Sequence, residues 1–600
     1  MEIILGILKG IGGFFAGIPQ AIADVFTLTS NVGQIYTAFA RWIFILLALF
    51  ILLTSIRSLL KSRNPSEVWA YLNIGDYMNV PLRHWENVIG RARSCDIQID
   101  DMSVSRNHGT LTRDNSGVWK YMDLGSKNGA SVNGRRVRPN AEVQLKAGDR
   151  LQLGGAVCTL FPISIEERRN NIQFRQEDTV VASPWPSLVA LTVFQIMTVI
   201  QLMIGLGEKY NAQITISFLG ICVLMWIYVL FLRGMKRRGF EMETIAFFLS
   251  TLSLAVTATC LPNQVFKQFI TVVMGVVLFF FMCTWLRDLP RTIALKKVMY
   301  VAAVLLLLFN VFFGTTKNGA SNWVQLGGLT IQPSEIVKLA FIWVGAASLD
   351  ELFRRRNTLY FTIFAVFCFG CLAAMSDFGT AMIFFVIFLI ISFLRSGDFT
   401  KLIVILGVTF AGGLMILKFA SASYVASRFA VWGHAWDPEF ISNTGFQMTR
   451  AMTAAASGGF VGLGAGEGWL NGIIASETDL VFCVVTEEWG LLIALLAVAA
   501  IVTLSVFAYR SILAGRSTYY TIAACSAMAI FLMQTSLNVL GSVNLLPLTG
   551  VAFPFLSTGG TSMIASWGLL AFLKAADTRQ NASIAVSLKD KGLGEEVDEI

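Results

Sequence analysis

The sequence predicts a multidomain chain: a polytopic α-helical membrane protein of about 13 spans, interrupted near its start by an all-β sandwich. Two observations carry this. Apolar residues make up 55% of the 600 residues and charged residues only 14%, with a mean hydropathy of +0.65, whereas a soluble globular chain carries roughly 25% charge. Against that background residues 66–165 change character, with more charge, frequent turns and short alternating runs. The 13 prolines and 46 phenylalanines also exclude a disordered polymer.

Residues 1–65 read as an N-terminal membrane segment. The glycine-rich stretch 1–20 suits the interface; it lacks a basic n-region and a cleavage site, so no cleavable signal is expected. The first span runs from Trp42 to Leu60, with Arg57, Lys61 and Arg63 at its end. Over 66–165, Asp114-Asn115-Ser116-Gly117, Asn128-Gly129 and Asn133-Gly134 punctuate runs such as Val143-Gln144-Leu145 and Arg150-Leu151-Gln152-Leu153. That spacing reads as a sandwich. A polar linker, 166–184, opens with Glu166-Glu167-Arg168-Arg169. Residues 185–242 hold two helices, near 185–207 and 212–233. Residues 243–575 form the membrane core, with spans near 243–262, 265–286, 298–315, 332–349, 359–375, 377–394, 401–419, 484–507, 519–541 and 551–573. A tail, 576–600, follows.

Basic residues flank one side of this count: Arg233/Lys236/Arg237/Arg238, Arg287/Lys296/Lys297, Arg354/Arg355/Arg356, Arg395/Lys401, Arg510/Arg516 and Lys574/Arg579. The positive-inside rule makes that side cytoplasmic and places the sandwich and the tail there. The net charge of +8 is then a matter of topology, and no nucleic-acid partner is expected. The other side holds loops 316–331 and 420–483. The longer one carries Asp437, Glu439, Glu467, Glu477 and Asp479 against Arg428 and Arg450, a length that usually marks function or disorder. The nine cysteines read as buried free thiols, and three histidines argue against a His-ligated metal centre.

Charges at membrane depth are costly and therefore informative. Glu335 and Lys338 share a helix face after Pro333-Ser334, either as a structural ion pair or as a polar cavity for a charged head group. Asp377 opens a span, where a helix anchor is one reading. Asp479, in Glu477-Thr478-Asp479-Leu480 behind the run Ser457–Gly466, sits where a carboxylate would either face water or act on a ligand.

Within the sandwich, Ile89-Gly90-Arg91, Ser103-Val104-Ser105-Arg106-Asn107-His108, Asp123-Leu124-Gly125-Ser126-Lys127-Asn128-Gly129 and Val132-Asn133-Gly134 occur in that order. The set resembles the forkhead-associated (FHA) family over about 70–163. The resemblance implies phosphothreonine recognition, with Arg91, Ser105 and Asn128 at the family's binding positions and Arg106 and Lys127 flanking them. An arginine suits a phosphate by charge-assisted bidentate bonding. The implied partner is a phosphothreonine protein from a Ser/Thr kinase pathway. His108 reads as structural, and Ala130 departs from the family's usual threonine.

A second ordered series fills the membrane core: Gly319-Ala320-Ser321-Asn322-Trp323, Gln332-Pro333-Ser334-Glu335, Asp377-Phe378-Gly379-Thr380, Gly445-Phe446-Gln447, the glycine run, Thr478-Asp479, Glu487-Glu488, Gln534, Asn538, Pro547-Leu548-Thr549-Gly550 and Pro554–Ser562. It resembles the SEDS family (FtsW, RodA and SpoVE relatives) over about 243–575, the family's ten-helix length. The resemblance implies a peptidoglycan glycosyltransferase of the bacterial cell membrane that polymerises lipid II into β-1,4 glycan on the outer face. Asp479 matches the family's essential aspartate and would be the general base. Gln332, Glu335, Lys338, Asp377, Arg428, Gln447 and Ser557 are the candidate substrate contacts. The pyrophosphate leaving group needs no acid, only a basic side chain or a divalent cation, Mg or Mn. No protein ligands for a metal are assigned. A class B penicillin-binding transpeptidase is the implied membrane partner. Asn322 stands where the family often has Arg, Ile474-Ala475-Ser476-Glu477 replaces Pro-Glu-x-His, and no basic residue follows the glycine run at Trp469-Leu470-Asn471. A lipid-linked precursor transporter (flippase), or a non-catalytic cell-wall or division scaffold, would use the same core without needing Asp479.

Overall fold

The computed structural model describes residues 30–61, 68–75, 78–93, 95–113, 117–164, 166–167, 183–317, 320–326, 329–348, 355–396, 403, 406–407, 424–513 and 517–577. The 1–20 stretch, Asp114-Asn115-Ser116, Arg168, Arg169, most of the span expected near 401–419 and the tail beyond 577 lie outside the described residues.

The soluble domain is a sandwich of two sheets. One sheet has the order β2 (Met78–Leu82), β1 (Ala70–Ile74), β11 (Ala156–Pro162), β10 (Arg150–Leu153), β7 (Ala130–Val132) and β8 (Arg135–Arg136). The other runs β4 (Ile97–Gln98), β3 (Glu86–Gly90), β5 (Gly109–Arg113), β6 (Trp119–Asp123) and β9 (Glu142–Leu145). Alternation puts Leu72, Leu82, Leu151 and Leu153 of the first sheet against Ile89, Leu111 and Tyr121 of the second, all buried, as period-2 side chains require. First and last strands pair antiparallel, Ala70 opposite Pro162, so the chain enters and leaves the domain at one place.

The principal helices outside the sandwich are α1 (Ser30–Lys61), α2 (Trp185–Leu206), α3 (Ala212–Gly234), α4 (Glu241–Cys260), α5 (Val265–Leu286), α6 (Lys296–Phe313), α7 (Pro333–Ser348), α8 (Arg355–Ala374), α9 (Phe378–Ser396), α10 (Tyr424–Val431), α11 (Phe446–Gly458), α12 (Val481–Trp489), α13 (Leu491–Leu513), α14 (Thr518–Ser542) and α15 (Gly560–Ala575). Among the described residues, eight helical segments are long and apolar enough to cross a membrane, and α8 and α9 contain shorter apolar ones. Helix α4 lies at the centre: 94% of its apolar window is buried, against 17% for α6. Its small residues, among them Ser250, Ser253, Ala255 and Ala258, permit that close approach. Helices α5 and α15 touch where a Cβ on Gly275 would stand 2.6 Å from the Trp567 ring.

Several expected boundaries move. The first helix begins at Ser30, well before Trp42. The span expected at 484–507 is two helices, α12 and α13, parted at Gly490 with φ 88°, a conformation open to glycine. The last span starts at Gly560, not 551, because 551–559 run in to the helix without helical structure. Loop 316–331 is largely a small sheet, β12 (Thr315–Lys317), β13 (Ala320–Leu326) and β14 (Leu329–Ile331). Lys574 is no solvent-facing flank: it is buried, 3.1 Å from Glu243 and donating to the Gly239 carbonyl at 2.7 Å. This pair ties the first core helix to the last. All nine cysteines are free, including Cys368 and Cys371, whose C-x-x-C spacing lies buried on α8.

The sandwich meets the bundle through Glu86. Its carboxylate accepts from Ser517 Oγ at 2.8 Å and from the Thr518 amide at 2.7 Å, satisfying a donor at the start of α14 that the helix itself cannot. Trp85 packs against the membrane cluster alongside.

Candidate active site and phosphopeptide-binding end

Asp479 sits in the turn before α12, outside the spans. Its amide donates to the Ala475 carbonyl at 3.0 Å, and Ala475 has a positive φ of 61°. Distant segments hold this turn. Asn538 of α14 donates to the carbonyls of Thr478 (3.3 Å), Asp479 (3.2 Å) and Val551 (2.9 Å). Ser557 donates to the Thr478 carbonyl at 2.8 Å, and the Thr558 amide to that of Glu477 at 2.9 Å. A Cβ on Gly550 would stand 3.5 Å from Asp479 Oδ2, so that glycine leaves the carboxylate its space.

Arg428, on α10, donates to the Leu548 carbonyl at 2.8 Å, and its positive charge acts on Asp479 against the negative charge of Glu477. Burial pushes the Asp479 carboxyl above the usual aspartate range, and the Arg428 guanidinium opposes this. The result is a half-buried carboxylate with a cation beside it, an arrangement able to take a proton and to face developing negative charge. Gln447 is near the same turn, donating to the Ile474 carbonyl at 3.0 Å.

The other candidate contacts form a second cluster. Asp377 accepts from Asn322 Nδ2 at 2.8 Å, from Gln332 Nε2 at 3.4 Å and from the Thr380 amide at 3.1 Å. It is therefore both the expected helix anchor and a polar hub, and Asn322 fits here as an uncharged partner. One turn into α7, Glu335 and Lys338 form a buried ion pair at 2.7 Å. The two clusters share a support: Ser557 and Thr558 hold the Asp479 turn, while Thr561 Oγ1 accepts from the Gln332 amide at 3.2 Å. Among the described residues no group of three or more His, Cys, Asp or Glu could hold a metal ion. Asp479 has both the Arg428 guanidinium and the Glu477 carboxylate acting on it, so a cation bound there would meet the positive charge of Arg428.

At the sandwich end, Gly90 is required by space: a Cβ there would lie 2.2 Å from the Arg106 carbonyl oxygen. That contact lets the Arg91 amide donate to the Ser105 carbonyl at 3.0 Å. Ser105 Oγ accepts from the Lys127 amide at 2.9 Å, and Asn128 Nδ2 donates to the Ser103 carbonyl at 2.7 Å. His108 links the two loops, accepting from the Ser105 amide at Nδ1 (3.1 Å) with Nε2 3.2 Å from the Gly129 carbonyl. Burial lowers its pKa, which fits a neutral ring in this structural role. Arg91, Ser105 and Asn128 thus converge, and Arg106 and Lys127 are exposed beside them. Arg91 Nε is buried with no hydrogen-bond partner.

Sequence reasoning named Asn538 only as part of a series and missed its threefold support of the Asp479 turn. An uncharged amide deep in a predicted span was the available signal. It missed Glu86 and Arg41 altogether; each lies outside the stretches that carry the family series.

The family model described as cell cycle protein, for FtsW, RodA and SpoVE, matches residues 239–582, and the FHA domain model matches residues 87–154. The chain is 29% identical over 369 residues to a probable peptidoglycan glycosyltransferase FtsW of Borreliella burgdorferi, covering 59% of this chain and 96% of that one. It is 30% identical over 292 residues to the corresponding protein of a Geobacter species, covering 47% and 77%. Among solved structures, a chain from a peptidoglycan synthase complex, studied for the coordination of polymerization and crosslinking, is 22% identical with a TM-score of 0.48, covering 57% of this chain and 98% of that one.

Proposed function

The chain belongs to the FtsW/RodA/SpoVE family and carries an FHA domain, and from that premise we propose that its core polymerises lipid II into peptidoglycan glycan while its sandwich reads phosphothreonine. The observation that supports this most is the Asp479 turn, a half-buried carboxylate beside Arg428, suspended from α14 and from the 548–558 segment.

Asp479 takes the proton of the acceptor sugar's 4-hydroxyl as that oxygen attacks the anomeric carbon of the donor. The bond to the lipid pyrophosphate breaks with its electron pair leaving on the phosphate oxygen. Inversion turns the α-linked donor into a β-1,4 link. Arg428 offsets the negative charge that develops. Gln332, Glu335, Lys338, Asp377 and Gln447 bind and orient the chain ends, and Ser557, buried and donating to the Thr478 carbonyl, serves the substrate through the Asp479 turn. A Mg or Mn ion belongs, in this reading, to the pyrophosphate donor and not to the protein.

The basic flanks Arg233, Lys236, Arg238, Arg287, Lys297 and Arg510 support a cytoplasmic sandwich and an Asp479 turn on the outer face. The phosphothreonine partner then belongs to a Ser/Thr kinase pathway inside the cell, and a class B penicillin-binding transpeptidase is the partner in the membrane. The test is polymerisation of lipid II by the purified full-length protein with that transpeptidase. Wild type yields glycan strands, and Asp479→Ala lowers the rate about 10²- to 10⁴-fold, the usual worth of a general base. Strands made equally by the variant, or none from a folded wild-type complex, would put the transporter or scaffold reading in its place.

A further inference from the structure

Helices α1 and α2 lie outside the residues matched by the family model, yet they reach the loop that leads to Asp479. That loop is conformationally free by sequence: Gly459, Gly462, Gly464 and Gly466 all have positive φ, at 56°, 84°, 122° and 88°. One side of it is held by α12. The Leu463 and Gly464 amides each donate at 2.9 Å to the carbonyls of Glu487 and Glu488, and the Glu487 carboxylate accepts from the Trp469 (3.0 Å) and Leu470 (3.1 Å) amides.

The other side is held by the added helices. Arg41 Nη1 of α1 donates to the Gly462 carbonyl at 2.9 Å. Gly205 of α2 faces the loop so closely that a Cβ would stand 2.3 Å from the Ala465 carbonyl oxygen. Phe44 and Phe194 pack on Trp489 at ring-centroid distances of 4.8 and 5.6 Å. Between these contacts lies a cavity of about 10 Å³, lined among others by Arg41, Gln201, Gly464 and Glu488. Three buried polar atoms on its lining residues have no hydrogen-bond partner, Arg41 Nε and both amide atoms of Gln201, and the Glu488 carboxylate, which the Gly466 amide and the Thr259 hydroxyl also face, lines the same space. Buried polar groups require partners, and the space, with two donors and one acceptor on Arg41 and Gln201 beside the Glu488 carboxylate, matches one water molecule.

We propose that Arg41 is a positioning residue for glycan polymerisation: with one bridging water it joins α1 and α2 to Glu488 and clamps the glycine loop, so that Asp479 is presented in one geometry. This rests on the reading of Asp479 as the base. Arg41 touches neither substrate nor carboxylate; it acts through the loop. Misplacing a reacting group by about an ångström costs on the order of 10²-fold, and a loosened loop costs rate more than affinity.

The test pairs lipid II polymerisation kinetics with hydrogen–deuterium exchange on the full-length protein, for wild type, Arg41→Ala and Arg41→Lys. Arg41→Ala is expected to lower kcat about 10-fold with KM within about 3-fold, and to speed exchange of the 459–472 amides about 10-fold while the sandwich and α14 stay as in wild type. Arg41→Lys, which can still donate to the Gly462 carbonyl, is expected to recover most of both. Unchanged loop exchange would overturn the clamp even with an active wild type. A rise spread over the whole bundle would overturn it equally, by making Arg41 a general packing residue. An inactive wild type would overturn the polymerase reading, and the catalytic part of this proposal with it, whatever the exchange shows.

Discussion

The phosphopeptide-binding end of the sandwich and the Asp479 turn solve the same problem at different ranges. In the sandwich, the candidate groups lie on loops within about forty residues of one another, and short loop-to-loop bonds such as Lys127 to Ser105 and Asn128 to Ser103 fix them. In the membrane core, Asp479 is held by Asn538 and Ser557, about 60 and 80 residues away in sequence, with Arg428 about 50 residues before it. A local site can be read from motifs. A site assembled over long range shows only its endpoint.

The largest effects expected come from crossing the two sites. Asp479→Ala should remove the polymerisation rate and leave phosphothreonine-peptide affinity unchanged. Arg91→Ala should weaken that affinity about 10- to 100-fold, the worth of a charged hydrogen bond at 1.5–3 kcal/mol, measured by titration calorimetry, with basal polymerisation as in wild type. Equal peptide binding by Arg91→Ala would break the comparison by showing that the sandwich end is not organised around that arginine.

A smaller effect sharpens the other side. Burial raises the Asp479 pKa and Arg428 opposes it, so a base mechanism gains rate as pH rises through that pKa, above the usual aspartate value of about 3.9. Removing the cation in Arg428→Gln should move the rising limb of the pH–rate profile to higher pH. A limb that stays in place, or moves down, would show that the guanidinium does not act on the carboxylate.

The smallest effect tests the seam between the regions. Glu86→Ala removes the acceptor for Ser517 and Thr518 at the start of α14. Losses at helix caps run about 0.5–2 kcal/mol. Thermal unfolding should show a lower midpoint, with phosphothreonine-peptide affinity intact. An unchanged midpoint would mean that the seam does not stabilise the fold.

Much of the architecture was legible. Long apolar runs announced the helices, and alternating runs with Asn-Gly turns announced the sandwich, because each pattern is periodic over several residues. The FHA motifs placed Arg91, Ser105 and Asn128 together, as found. What stayed hidden was set by contacts across the bundle. Hydropathy alone carried the span at 484–507 through Gly490, although the backbone breaks there. Lys574 looked like a topological flank because its partner Glu243 lies 331 residues away. Arg41 sat in an apolar stretch with nothing nearby to suggest that Gly462, 421 residues on, would accept from it.

The pairing of α1 with α2 has a consequence for how the chain is made. The two pack as a hairpin, Tyr36 donating to the Met197 carbonyl at 2.8 Å and Thr54 bonded to Ser187 at 2.8 Å. The turn of that hairpin is the whole sandwich. Because its first and last strands are neighbours, Ala70 beside Pro162, the folded domain works as a clasp. It shortens the tether between the two arms, and by loop-closure entropy that favours their meeting by on the order of 1 kcal/mol. During synthesis α1 enters the membrane well before its partner exists, and the sandwich is complete before α2 emerges. Folding of the soluble domain thus becomes a step in assembling the membrane one.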